Sequence, residues 1–366
     1  MFRPQDPPTT GKANLEYYRS TTILACRSTG TPVHVEGNVM VRAAFIGAGL
    51  RAGSAHYPAL SRSPSEIELT AICELDPERL ATTADMYDIE GRYADFRVML
   101  EREDPDVVYA VTPPQQIADI AVEVLNAGKH IFIEKPPGVG SADAERIAEA
   151  AQANTRIACV GLQRRWTPLI RAARARVEAN GPVMLVNAGM SKNLLVDDGG
   201  GRVLNRLYEQ DIHMVDFMRW LCGGSWDEVL TRGDTHYTGW PSTYNSIIHF
   251  TNGAVGVHSV TGHAGARHYR IEMHGNGISA YLRPPVHGEI FSDDSREPET
   301  LEGPAIPGDP DGKIDDGIDA LHADFLDAIA NERQPLTNIH DVIHSMRLLE
   351  EMGQLDPTGK PRRPGA

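Results

Sequence analysis

The chain is poor in cysteine, in positive charge and in long apolar runs. Four cysteines occur, Cys26, Cys73, Cys159 and Cys222, scattered and without CxxC spacing. That argues against a disulfide framework, and the expectation is reduced thiols in a cytoplasmic protein. The 35 Lys and Arg stand against 50 Asp and Glu, a formal net charge of −15. Such a balance disfavours nucleic acid and anionic membrane as main partners, since both reward basic surface. No apolar stretch approaches the length of a membrane span, and residues 21–26 are too short for a secretory core. Metal-ligand spacing is equally scarce: His340 and His344 are four apart, no third ligand accompanies them, and no metal is expected.

What is present is the composition of an ordinary globular protein, 41% hydrophobic and 23% charged. A length of 366 residues suggests about two domains. Residues 1–40, rich in proline and polar side chains, read as a poorly ordered extension. A fold-like pattern starts at Val41, directly after Met40, so either translation begins at Met40 or the segment is an arm that docks on the body or on a neighbouring subunit.

From Val41 the pattern is regular. Residues 41–46 read as a strand, followed by Gly47-Ala48-Gly49 and a helical segment toward Leu60. Glycines at the carboxyl end of a strand permit a tight turn and let backbone amides approach a pyrophosphate at the helix N-terminus. Leu50 and Arg51, next in the loop, join Gly47 and Gly49 as candidate cofactor-binding residues. The third small residue is either Ala52 or Gly53, and the apparent one-residue shift of His56-Tyr57-Pro58-Ala59-Leu60 favours Gly53. The next strand, 67–73, ends in Glu74, at the separation expected of an acid that binds an adenosine ribose 2′-hydroxyl. A carboxylate there repels a 2′-phosphate and no Lys or Arg directly follows it, so NAD is expected over NADP. Asp76, before Pro77, is available as a helix cap.

The strand and helix rhythm continues with a helix over 77–87, a strand over 106–111, the turn Thr112-Pro113-Pro114 and a helix over 116–127 closed by Gly128. A strand over 130–133, a helix capped by Ser141 through 151 and a strand over 157–162 follow. This alternation predicts a doubly wound parallel sheet. The strand His130-Ile131-Phe132-Ile133 stops at Glu134-Lys135-Pro136-Pro137, which delivers an acid and a base to the sheet end where ligands sit. Lys135 is therefore placed nearest the chemistry.

The strand-GAG-helix start, the segment Ala71-Ile72-Cys73-Glu74-Leu75-Asp76-Pro77-Glu78-Arg79, Val111-Thr112-Pro113-Pro114 and Glu134-Lys135-Pro136 resemble the glucose-fructose oxidoreductase, inositol dehydrogenase and rhizopine-catabolism family (Gfo/Idh/MocA). Gln163-Arg164-Arg165-Trp166 is similar to that family's arginine-bearing crossover, and Glu209-Gln210-Asp211-Ile212-His213-Met214-Val215-Asp216 to its D-x-G-x-H-x-x-D helix. The resemblance runs from Val41 to about Met352. It implies an α/β protein with an N-terminal Rossmann domain over 41–162. A C-terminal α+β domain over 163–352, with a large open and mostly antiparallel sheet, would serve substrate binding and oligomerisation, ahead of a polar tail over 353–366. The residues read the same way, with strand-like runs at 183–189, 246–250, 254–260 and 270–274 and a hairpin turn at Thr251-Asn252-Gly253. A short strand ends at Pro284-Pro285, an acidic loop spans 292–317, and helices over 318–331 and 339–352 close the fold.

The resemblance implies that Thr112, Pro113, Glu134 and Lys135 line the cofactor, and that Arg165, Trp166, Glu209 and His213 contact substrate. Lys135, His213 and Glu209 would form the catalytic group. Residues four apart share a helical face, so Glu209 and His213 can point into one cleft. Glu209 replaces the family's Asp, Asp211 replaces a glycine, and Ile117 stands where many members have His. The expected reaction is hydride transfer between NAD and a secondary alcohol of a sugar, inositol or related polyol. Lys135 is the expected proton carrier, because burial near a cationic nicotinamide lowers an ammonium pKa; His213 is the alternative acid/base. A redox-neutral NAD-dependent glycosidase and a non-catalytic dinucleotide-binding sensor are the alternatives. Arg165 is also readable as a structural carboxylate partner, and His213 as a core histidine. A homodimer or homotetramer is expected through the open face of the second sheet, where His249 and His258 sit among half-apolar neighbours.

Overall fold

A strand covered on both faces must be apolar throughout, and β1 (Val41–Ile46) buries its last four side chains. The computed structural model describes residues 40–194, 206–237 and 240–355, so the expectations for residues 1–39 and 356–366 lie outside the described residues. Beside β1 run β2 (Ile67–Cys73), β3 (Gly91–Tyr93), β4 (Val107–Ala110), β5 (His130–Ile133) and β6 (Ala158–Val160). Their order is β3-β2-β1-β4-β5-β6 and every neighbouring pair is parallel. Strand order reverses between β1 and β4, the switch point at which such sheets hold ligands. The crossovers contain α1 (Tyr57–Ser61), α2 (Pro77–Met86), α3 (Phe96–Glu103), α4 (Pro114–Asn126) and α5 (Ser141–Ala153). Asp76 caps α2 by accepting from the amides of Glu78 and Arg79. The sequence reading has no counterpart to β3 and α3, a three-residue edge strand and a helix that buries only Met99 and Leu100.

After α6 (Pro168–Glu178) comes β7 (Leu185–Asn193), and after α7 (Ile212–Cys222) come β8 (Trp226–Asp234), β9 (Thr243–Phe250), β10 (Val255–Thr261) and β11 (His263–His274). β12 (Ile278–Arg283), β13 (His287–Ser292) and β14 (Glu299–Glu302) complete a sheet ordered β14-β13-β12-β11-β7-β10-β9-β8. Only the β7–β10 pair is parallel. The expected acidic loop over 292–317 thus contains an edge strand, β14, and a bridge between Ala305 and Ile314. Alternation sends Tyr244, Ser246, Ile248 and Phe250 of β9 inward and leaves Asn245 and Ile247 outside. His258 of β10 pairs with Ser246 and is fully buried, whereas His249 pairs with Val255 on the outer face. The expectation that both histidines share the open face is corrected by this register, since a side-chain period of two puts them on opposite sides.

The final helices do not stay with the second sheet. α8 (Ile318–Ala330) inserts Ile318, Leu321 and Phe325 among Phe45, Tyr109 and Phe132 of the first domain. α9 (Ile339–Gly353) packs on α5 and α7, and Leu355 beyond it is buried. A boundary drawn at 162/163 therefore separates α8 from the core it completes, and the polar tail begins after Leu355 rather than at 353. Ser141 opens α5 but does not cap it. Glu350 of α9 accepts from the Ser141 amide at 2.6 Å and from its hydroxyl at 2.9 Å, tying the two helices together.

Candidate active site

The turn after β1 admits only glycine at its first position. Gly47 has φ +104°, and a Cβ there would run into the Val111 carbonyl; Gly49 faces open space. The chain then enters a π-turn, Ala52–His56, before α1. Ala52 is fully buried, while Gly53 is exposed with open space where a Cβ would lie. The third small residue is thus Ala52, not Gly53. The one-residue shift visible in the sequence is absorbed as a π-turn inside the helix.

Glu74, at the end of β2, accepts from the amides of Ala48 at 2.8 Å and Asp76 at 3.0 Å, and from Arg79 at 3.3 Å. Burial would raise its pKa, but these amide bonds and the Arg79 charge outweigh it and hold the carboxyl below its ordinary range. A cation therefore stands beside Glu74 although none directly follows it in sequence, because the first turns of α2 fold Arg79 back. Gly47, Gly49, Glu74, Thr112 and Pro113 line a cavity of about 730 Å³. The Thr112 hydroxyl in its wall is buried without a partner.

This cavity continues past Gly49, Thr112 and Pro113 into a second of about 590 Å³, lined by Leu50, Arg51, Glu134, Lys135 and His213. Glu134 anchors the strand end. One carboxylate oxygen accepts from Arg51 Nε at 2.6 Å and His56 Nε2 at 3.0 Å, and the other from the Lys135 amide at 2.7 Å. Burial opposes its charge, but the His56 bond and the Arg51 charge prevail and keep it ionised, well below the usual carboxylate range. His56 Nδ1 lies 3.1 Å from Nε2 of His322, brought by α8. With Glu134 ionised, His56 donates to it from Nε2 and accepts from His322 at Nδ1. The unpartnered His322 Nδ1 is then a bare lone pair rather than a stranded proton. Burial and the neighbouring His56 hold the His322 pKa well below 6.5.

Lys135 Nζ donates to the backbone carbonyl of Glu209 at 2.8 Å. Burial lowers its pKa from 10.5, against the raising effect of Glu134. His213 is buried with Nδ1 unpartnered, and burial together with the Lys135 charge holds it well below 6.5. Glu209 is half-buried in a second π-turn, Leu207–Asp211, and α7 begins only at Ile212. The i,i+4 argument assumes an unbroken α-helix; from this turn Gln210 is the residue that lines the cavity.

Arg165 does not reach the cleft. It is buried against Asp216, at 2.8 Å and 2.5 Å, and Asp341 at 2.6 Å, which makes it a clamp between α7 and α9. Trp166 packs against the α8 core cluster with Arg171 over its ring. In the tight turn Gln163–Trp166 it is Arg164 that faces the cavity, beside Gln163, Met190, Lys192, Arg267 and Asp316. Sequence reasoning missed these residues. A single 3₁₀ turn offers no periodicity to tell Arg164 from Arg165; Arg267 sits in the stretch of β11 where its register with β7 shifts, and Asp316 in a loop.

The sequence profile described as an oxidoreductase family with an NAD-binding Rossmann fold matches residues 41–162, and that of the GFO/IDH/MocA C-terminal domain matches residues 170–280. The chain belongs to the Gfo/Idh/MocA oxidoreductase family. Inositol 2-dehydrogenase of Salmonella typhimurium is 30% identical over 193 residues, which cover 52% of this chain and 56% of that protein. The chain thus spans about half the length of the curated relatives it matches. Levoglucosan dehydrogenase, solved with NADH and levoglucosan, has the same fold with a TM-score of 0.76 at 22% identity over 86% of this chain and 96% of that one. A dehydrogenase from Chromobacterium violaceum gives a TM-score of 0.76 at 16% identity over 86% and 94% of the two chains.

The residues of this Gfo/Idh/MocA chain fit the NAD of its Rossmann domain. The two joined cavities run from Glu74, across the glycine cradle that a Cβ would fill, past the orphaned Thr112 hydroxyl, to Lys135. Glu74 stands at one end of this run and the Gly47–Gly49 turn in its middle, where the Gly47 amide donates to the Cys73 carbonyl and the Ala48 amide to Glu74. Among the described residues, no helix is long and apolar enough to cross a membrane.

Proposed function

We infer that the protein is an NAD-dependent dehydrogenase that oxidises a secondary alcohol of a sugar, inositol or related polyol. The observation that carries this is the convergence of half-buried Lys135 and buried His213, both lowered in pKa, on the cavity that continues the glycine cradle. NAD, when bound, would supply the hydride acceptor for the carbinol carbon. The alcohol proton passes to Lys135 Nζ, held in place by the Glu209 carbonyl, and His213 and Gln210 orient the hydroxyls. Glu134 acts as a positioning residue, since its bonds to the Lys135 amide, Arg51 and His56 fix the backbone from which the lysine projects. Glu209 is assigned a part through its backbone carbonyl, which holds Lys135, while Gln210 takes the cavity-facing position beside His213. NAD is preferred over NADP because a 2′-phosphate would meet the ionised Glu74, whose charge Arg79 offsets in part, while Arg97 on the same cavity is paired with Glu123. The protein is assigned to the cytoplasm and to a homodimer or homotetramer, built on the outer face of the second sheet.

The test is a panel of sugars and cyclitols assayed for NAD and NADP reduction by the purified chain. Net NADH formation with at least one polyol is expected, with NADP poorer. Sugar release from glycosides without net NADH would replace the dehydrogenase by the redox-neutral glycosidase, and NAD binding with neither reaction would leave a sensor.

A further inference from the structure

Beyond Lys135 the cleft opens into a third cavity, of about 800 Å³, which shares Arg51, Arg164, Arg267 and Asp316 with the catalytic one. Its charge runs against that of the chain. Six cationic side chains line it against two acids, Asp309 and Asp316, in a protein whose net charge is −15. Three of the six are answered by carboxylates: Arg51 by Glu134, Arg62 by Asp319 and Lys313 by Asp309 and Asp311. The remaining three are less well matched. Arg164 has one long contact, to Asp316 at 3.9 Å, and although it is only 7% exposed its Nε has no hydrogen-bond partner among the described residues. Its guanidinium lies over the Tyr269 ring at 5.1 Å, which fixes its plane. Arg267, at the open rim, bonds only the Met190 sulfur at 3.5 Å, and Arg283 has no ion pair among the described residues. Arg164 and Arg267 also repel each other: burial first, then the Arg164 charge, lowers the Arg267 pKa.

A buried guanidinium with an unmatched N–H beside a second one is unfavourable by itself and becomes favourable when an anion spans both. Arginine forks match the two oxygens of a carboxylate or phosphate. A concave basic wall in an acidic protein also concentrates anions at that one place. We propose that the substrate is an anionic polyol, whose carboxylate or phosphate docks between Arg164 and Arg267 while its carbinol faces Lys135. This rests on the dehydrogenase reading and narrows it from polyols at large to sugar acids or sugar phosphates. Arg283 and Lys313 line the far wall and would hold the outer part of a longer substrate.

The test uses matched sets on gluco and galacto skeletons, each with the neutral hexose, the hexuronate and the hexose 6-phosphate. Each is added to the NADH-loaded chain and read by thermal shift and calorimetry, and to the NAD-loaded chain and read by NADH formation. The expected result is that one anionic class binds at least about tenfold more tightly than its neutral parent, with the advantage shrinking as salt rises. The class that gains separates carboxylate from phosphate. R267Q, at the exposed rim, is expected to reduce the anionic-to-neutral ratio of affinities by about tenfold, and R164Q by more. Should R164Q fail to fold, R267Q still decides. No anionic advantage in any set, or an advantage unchanged in R267Q, overturns the inference. Neutral polyols oxidised without an anionic gain would leave the dehydrogenase reading standing and this inference lost; anions bound without NADH formed from any member of the sets would overturn the anion as substrate.

Discussion

Burial lowers Lys135 from 10.5 and holds His213 well below 6.5, so near neutral pH the histidine is neutral and the lysine is the group whose charge changes first as pH rises. Only a neutral amine accepts the alcohol proton. The rate of alcohol oxidation is therefore expected to climb with pH through the lysine pKa, at a point below 10.5, and ketone reduction to fall over the same interval. Lys135→Met should keep NADH binding, read by fluorescence titration, lose on the order of 10²–10⁴ in kcat and lose the pH limb. His213→Asn should lose rate and keep the limb. A Lys135→Met enzyme that retains the limb, with the limb gone in His213→Asn, would make the histidine the proton carrier and the lysine a positioning residue.

Among the elements, the second sheet carries the clearest unused surface. Cross-strand pairing puts Leu230, Ile247, Val257, Asn187, Glu272 and Tyr281 in one row on its outer face. Leu230, Ile247 and Tyr281 are 54%, 43% and 41% exposed, which is high for apolar side chains in mid-strand. A half-apolar sheet face of this kind is normally covered. Sedimentation equilibrium is expected to find a dimer or tetramer, and Ile247→Asp to shift it toward monomer without loss of secondary structure. A wild-type monomer at working concentration would remove the sheet from consideration as an interface.

For the whole molecule, the price of a densely buried polar core is paid in acid. His258 is pushed down to about 3 by burial, and His213 and His322 lie well below 6.5 for the same first cause. Each stays neutral in the fold and takes up a proton when the chain unfolds below pH 6.5. The unfolded state then binds more protons, so stability falls as pH drops below 6.5, by about 2 kcal/mol for His258 at pH 5, and His213 and His322 act in the same direction. Urea midpoints at pH 7.5 and pH 5 should show the fall, and His258→Leu should show less of it. An identical pH dependence in that variant would mean that His258 is not neutral in the fold.

By itself the sequence determined the parallel sheet, the glycine cradle, Glu74 and the Glu134-Lys135 strand end, because these depend on local chain order: apolar runs of fixed length stopped by Gly and Pro. Family and NAD binding followed from those stretches. Periodicity also located most of the second sheet, but not its strands β8, β13 and β14, nor the edge strand β3 of the first, whose pairing supplies what their side chains do not. Only the tertiary structure decided between neighbours. It chose Ala52 over Gly53 by absorbing the extra residue in a π-turn, and turned Arg164 to the cleft while committing Arg165 to Asp216 and Asp341. It brought His322 from the distant α8 to His56, and Arg267 from the register shift in β11 and Asp316 from a loop to the basic wall. These choices rest on contacts between residues far apart in sequence, and no local pattern encodes which partner a buried charge will find.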